Sequence, residues 1–171
     1  MKILFCLPAE TVYEQQGRVM GWRATPAPRE KLKQLKALVP RFIELGVERV
    51  ICSDLDNQSG WAVAKAMGLR CEEWHSARRL NWGKFHGLQQ QKASEKLKEQ
   101  ESRWEKDPNI PIAANGDSRT SYKNRMSSLK DKLSKANGVK AALVLLGANE
   151  VSYLTGAKIN FERNHVYEWS L

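Results

Sequence analysis

Apolar residues along this chain fall into two spacings. Short continuous runs occur at Ile3-Leu4-Phe5-Cys6, at Val50-Ile51-Cys52 and at Ala141-Ala142-Leu143-Val144-Leu145-Leu146. Runs this short and this apolar predict buried strands over Lys2–Cys6, Val47–Cys52 and 140–146, the last of them central. Elsewhere the spacing is helical. Leu32, Leu35, Leu38, Val39, Phe42 and Ile43 predict a helix over 29–45 that Pro40 kinks or restarts and Gly46 ends. Ser53 and Asp54 open a second helix over about 58–67, stopped at Gly68, and 69–73 reads as a short edge strand. Tyr122, Met126, Leu129 and Leu133 form one stripe of a helix over 119–136. The segment 89–106 is helical but polar, without a strong apolar face, and therefore peripheral; Asp107-Pro108-Asn109-Ile110-Pro111 breaks it. A short helix near 150–154 and a last strand near 165–169 follow.

Strands alternating with helices predict the α/β class: three layers, with a mostly parallel central sheet between helices, in one domain over 1–171. No internal repeat or low-complexity segment interrupts the pattern. Ligands in such sheets bind beyond the carboxyl ends of the strands, here 7–11, 53–59 and 147–149.

Composition sharpens this in three ways. With 42% hydrophobic and 27% charged residues the chain is globular, and no apolar stretch approaches the roughly 20 residues of a membrane helix. The N-terminal run leads straight into Leu7-Pro8 and reads as a strand, not a signal peptide. Cys6, Cys52 and Cys71 show no CxxC spacing, so free thiols and a cytoplasmic location are expected. The net charge of +9 suits an anionic partner. No block of five or six Lys and Arg occurs, however, which weakens a nucleic-acid role. Of the six tryptophans, Trp61 and Trp74 read first as core packing and are the candidates for exposure at an interface as the alternative.

Several motifs together resemble the histidine phosphatase (phosphoglycerate mutase-like) superfamily. They are Glu10-Thr11, Gly17-Arg18, Gly21-Trp22 and Pro26; Ser53-Asp54-Leu55 with the helical segment 63–69; and Arg78-Arg79-Leu80-Asn81-Trp82-Gly83-Lys84-Phe85-His86-Gly87. Trp104 with Asp107-Pro108, then Gly116-Asp117-Ser118 and Arg125, continue the likeness. The resemblance implies a phosphoglycerate mutase-like fold and, in active members, a phosphomonoesterase or phosphomutase. There a His attacks phosphorus, a cradle of two Arg and a second His holds the phosphoryl oxygens, and a carboxylic acid protonates the leaving oxygen.

By the same resemblance, those groups are replaced here. Leu7, Pro8 and Ala9 stand where the family has Arg-His-Gly, and Glu14 where it has a phosphate-contacting Asn. Arg79 takes the acid position and Gly147 that of the second His. The segment 56–60 carries no second Arg. No catalytic residue is therefore assigned. Among alternative nucleophiles, His86 lies on a loop that the resemblance puts beside the pocket; His75, His165, Cys6, Ser53 and Ser59 are weaker. Glu10, Glu14 and Asp54 have no metal-ligand spacing, so neither metal nor cofactor is expected. Candidate ligand contacts are Glu10, Thr11, Arg18, Arg79, Lys84, His86 and Asn149.

Three functions follow as expectations: a catalytically inactive member that binds a protein partner or a phosphate-like anion; a phosphoesterase with residual or rewired chemistry; and, less favoured, a basic nucleic-acid binder. Members of the family often self-associate, so the resemblance allows a homodimer.

Overall fold

The computed structural model describes residues 1–55, 57–157 and 160–169. Asp56, part of the segment without a second Arg, lies outside them. The strands are β1 (Lys2–Cys6), β2 (Val47–Cys52), β3 (Cys71–Glu73), β4 (Ala141–Leu145) and β5 (Tyr167–Trp169). The helices are α1 (Val12–Gln15), α2 (Arg29–Lys36), α3 (Val39–Glu44), α4 (Asn57–Ala66), α5 (Gln90–Lys106), α6 (Arg119–Lys135) and α7 (Ala148–Thr155). Two short 3-10 turns cover His75–Ala77 and Gly83–Phe85.

The sheet order is β3-β2-β4-β1-β5. Four strands are parallel, and β5 runs antiparallel along β1 at one edge. β4 is central, and each of its five residues is buried, as a strand covered on both faces requires. Side chains alternate between the two faces. Leu4, Cys6, Val50, Cys52, Leu143 and Leu145 meet Leu35, Val39, Phe42 and Val63 from α2, α3 and α4. Ile3, Phe5, Ile51, Ala142 and Val144 meet Met126, Leu129 and Leu133 of α6 and Val151 and Leu154 of α7. Helices on both faces make the three-layer α/β/α arrangement.

The predicted break at Pro40 is a break between helices. α2 stops at Lys36, and Pro40 sits in the first turn of α3, where its missing N–H has no partner to lose. α5 contributes nothing to either apolar cluster. It is held at its end by Trp104, whose Nε1–H donates to the Ile110 carbonyl at 2.7 Å. No helix among the described residues is long and apolar enough to cross a membrane.

Candidate functional site

β1 and β4 are neighbours in parallel register, with Cys6 opposite Leu145. Their carboxyl ends therefore open on the same side, and 7–11 meets 147–149 there. A cavity of about 480 Å³ lies above them. Leu7 and Pro8 form one wall, with Gly147, Ala148 and Asn149 beside them. The cavity's charges are Glu10, Glu14 and Glu150 against Arg18, Arg79 and Arg163.

The first polar centre is Glu14, in α1. Thr11 caps that helix: its hydroxyl accepts from the Glu14 N–H at 3.3 Å, and its own N–H donates to Glu14 Oε2 at 2.9 Å. This capping box folds the carboxylate back and points Oε1 at two guanidinium groups. Arg79 donates to Oε1 at 3.3 Å and Arg163 at 2.9 Å. Burial by itself raises the pKa of Glu14, but Arg79, Arg163 and the Thr11 hydrogen bonds outweigh it and hold the carboxyl below its usual range. Glu14 is thus an ionised, resident anion between two arginines. Arg163 also donates to the Pro8 carbonyl, tying the loop before β5 to the end of β1.

The second centre is Glu150, buried in the first turn of α7. Its Oε1 accepts from the Tyr122 hydroxyl at 3.0 Å and from the Leu80 N–H at 3.3 Å. Burial, followed by the Glu150 charge, pushes the Tyr122 hydroxyl well above its usual pKa, so it stays a donor. A side chain at Gly147 would collide with Glu150 Oε2, its Cβ falling 2.5 Å away.

A buried ion pair holds the segment that presents Arg79. Arg125 and Asp117 form two hydrogen bonds, at 3.0 and 2.6 Å, with side chains only 7% and 6% exposed. Arg125 also donates to the carbonyls of Arg78 and Arg79, and Asp117 accepts from the Asn81 N–H. Trp22 lies under the guanidinium groups of Arg78 and Arg125, at 4.6 and 5.0 Å, and donates to the Arg79 carbonyl. Arg78 in turn grips Asp54 through two bonds of 2.7 and 2.6 Å.

The fold therefore brings Leu7, Pro8, Glu10, Arg18, Arg79, Gly147 and Asn149 to one cavity. Glu10 pairs there with Lys31 at 2.8 Å, and Arg18 donates to the Gly87 carbonyl at 2.7 Å. Asn149 is exposed at the rim; the N-cap of α7 is Gly147, not Asn149. Thr11 is buried as a helix cap, and Ala9 is buried with its N–H on Ser59 Oγ at 2.9 Å. Ala9 and Thr11 do not line the cavity, and neither do Lys84 and His86. Lys84 is exposed, while His86 Nδ1 accepts the Gly21 N–H at 2.8 Å and its ring leans on Tyr13. Burial, then the charge of Arg23, lowers the His86 pKa, so the ring is neutral near pH 7.

Arg163 and Glu150 are site residues that sequence reasoning missed. Arg163 sits in a loop without periodicity, and Glu150 is one residue beyond Asn149, on the inward side of the same turn.

No His or Cys is among the described residues lining the cavity. Ser94, the one hydroxyl among the described lining residues, donates to the Gln90 carbonyl of its own helix at 2.9 Å. Cys6, just below, is fully buried, and desolvation pushes its thiol up to about 12, far from the reactive thiolate. Among the described residues no group of three or more His, Cys, Asp or Glu side chains could hold a metal ion. What the cavity offers is charge recognition: guanidinium donors already matched by an internal carboxylate, in a site at the carboxyl ends of parallel strands.

Fold and site together define an α/β protein with an arginine-lined cavity at the carboxyl ends of the neighbouring strands β1 and β4. The chain belongs to the histidine phosphatase superfamily (branch 1), whose model matches residues 9–157. The match begins directly after Leu7-Pro8. No curated protein is significantly similar in sequence. Among solved structures, the phosphoglycerate mutase from Bacillus anthracis str. Sterne superposes with a TM-score of 0.79 at 17% identity, over 98% of this chain and 86% of that one. The α-ribazole phosphatase from Shigella flexneri gives 0.78 at 17% identity, over 98% and 89%. A mycobacterial glucosyl-3-phosphoglycerate phosphatase gives 0.74 at 15% identity, over 99% and 89%. At these identities the likeness is one of fold.

Proposed function

We propose that this protein is a non-catalytic member of the superfamily whose cavity binds an anionic group of a ligand or protein partner. The observation that carries this reading is Glu14. A carboxylate fixed between Arg79 and Arg163 occupies the space and charge that a phosphoryl group needs. An incoming anion must displace it, which suits exchangeable binding and opposes the approach of a phosphomonoester to a nucleophile. Leu7, Pro8 and Gly147 add support, because none brings a nucleophilic, cationic or acidic side chain to the cavity.

A panel of phosphomonoesters, with and without divalent metal ions, tests the reading. The expected result is no turnover above background. Turnover that disappears in the Arg79→Ala variant contradicts it.

The second reading is a phosphatase or mutase with rewired chemistry. It is favoured by the neighbours, since proteins named as α-ribazole phosphatase and phosphoglycerate mutase share the fold. Such an enzyme needs a nucleophile supplied by movement of a group now held elsewhere, and His86, neutral near pH 7, lies on an adjoining loop.

A further inference from the structure

Two of the three cysteines meet side by side, away from the cavity. Cys52 is the last residue of β2 and Cys71 the first of β3. The strands are parallel, and Cys71 pairs with Val50, so Cys52 lies diagonally across from it on the same face of the sheet. The two Sγ atoms are 3.0 Å apart, about 1 Å longer than a disulfide bond. Helix α4 covers them with a glycine: a Cβ at Gly60 would fall 2.5 Å from the sulfur of Cys52 and 2.6 Å from that of Cys71. Any side chain there would drive the thiols apart or push the helix off the sheet.

The pair is asymmetric in access. Cys52 is fully buried, whereas Cys71, on the edge strand, is half-buried. The hydrogen bond from Cys52 holds the Cys71 thiol below its ordinary pKa, against burial and the neighbouring Glu73 and Glu72 carboxylates. Cys6, on β1, is as enclosed as Cys52, and burial pushes its thiol upward.

We propose that Cys52 and Cys71 form a reversible intramolecular disulfide when the protein meets a peroxide-class oxidant. The Cys71 thiolate attacks the peroxide oxygen, the O–O bond breaks, and an alcohol or water leaves with a proton, giving a sulfenic acid at Cys71. The Cys52 sulfur then attacks the Cys71 sulfur, the S–O bond breaks, and the hydroxyl leaves as water with the Cys52 proton. The dithiol loses two electrons and two protons, and the peroxide is reduced by the same amount. A thiol reductant reverses the step by exchange.

The link has a structural consequence. It ties the edge strand β3 to β2 and closes a loop of about 20 residues around α4. β3 continues into Trp74, whose N–H donates to the Cys52 carbonyl at 2.8 Å, and from there into Arg78 and Arg79. The disulfide therefore anchors the root of the segment that carries Arg79 to the cavity.

The test uses the wild-type protein. Reduced protein is exposed to tert-butyl hydroperoxide at a level that fully oxidises free glutathione, quenched in acid, unfolded and assayed for thiols. The proposal predicts a fall from the three thiols of the sequence to one, with Cys52 and Cys71 recovered as one linked peptide pair and dithiothreitol restoring all three. A Cys71→Ser variant should then keep both of its remaining thiols. Three intact thiols after treatment of the wild type, a link through Cys6, or a bond between two molecules would overturn it.

Discussion

Replacing Glu14 with Gln keeps the side chain's size and removes its charge. In the native protein Oε2 faces the N–H and hydroxyl of Thr11, and Oε1 faces Arg79 and Arg163. An amide cannot satisfy both ends. One end must turn an NH2 donor either toward the Arg79 and Arg163 guanidinium groups or toward the Thr11 N–H, none of which has a lone pair to offer. Hydrogen bonds to charged groups contribute about 1.5–3 kcal/mol each, and breaking a fully buried pair costs about 3–5 kcal/mol. The Glu14 side chain is 21% exposed, so solvent screens part of this. A loss of about 2–3 kcal/mol at pH 7 follows, or a fall in Tm of about 4–12 °C for a chain of this size. The same change removes the carboxylate charge that Arg79 and Arg163 share, and an external anion can take its place. Because an anion at 100 times its Kd stabilises by about 2.7 kcal/mol, inorganic phosphate should recover much of the loss in E14Q while shifting the wild type far less. Scanning calorimetry at pH 7 over a phosphate series measures both effects. Coincident melting of the two proteins without phosphate, or equal phosphate shifts, would refute the role assigned to Glu14.

Three further outcomes are expected. Asp117→Asn leaves Arg125 buried beside a neutral partner and should lower stability by about 3–5 kcal/mol in urea unfolding, the Arg78–Asn81 segment losing its support with it. Gly147→Ala should cost about 1–3 kcal/mol, because the new methyl displaces the Glu150 carboxylate from Tyr122 and Leu80; in a Tyr122→Phe background the extra cost should be smaller, as a double-mutant cycle will show. Glu14 and Asp54 both have folded pKa values below their ordinary ones, the first through Arg79 and Arg163 against burial, the second chiefly through its hydrogen bonds from Arg78. Each binds its proton more readily unfolded than folded, so their stabilisation is complete above the ordinary carboxylate pKa and is lost as pH falls through the folded values. Unfolding free energies measured from pH 6 downward should decline through and below the carboxylate range, with a shallower decline in E14Q.

The framework was legible because its signals are local. β1 and β2 coincide with their apolar runs, β4 is the central strand that its unbroken apolar stretch predicts, and Pro40 marks the restart between α2 and α3. Helix ends differ by a residue or two, as fraying termini do. α1 is too short, at four residues, to show a period, and only the capping-box spacing of Thr11 and Glu14 marks it in the sequence. The cavity was legible where strand ends define it, at Leu7, Pro8, Gly147 and Asn149. It was not legible where a loop returns from a distance, as Arg163 does from the approach to β5. Lys84 and His86 stand apart from it for a backbone reason. Gly83 adopts a positive φ of 52°, and a side chain there would run into the backbone of Ala114 and Gly116, so the turn needs glycine and sends Lys84 outward and His86 toward Gly21. Spacing in sequence cannot register such a turn. Of the two tryptophans that were candidates for exposure, with core packing the first reading, Trp61 is 58% exposed, while Trp74 packs against the α6 side of the core with Lys132 over its ring.

Whether this cavity binds anions without turning them over is decided by steady-state hydrolysis of an aryl phosphate. The natural protein is assayed beside its Arg79→Ala variant and beside a form carrying Leu7→Arg, Pro8→His and Ala9→Gly. The account predicts that the natural protein and Arg79→Ala are indistinguishable from buffer. Release of phenol by the natural protein, lost in Arg79→Ala, would show that a nucleophile operates in the cavity and would contradict it.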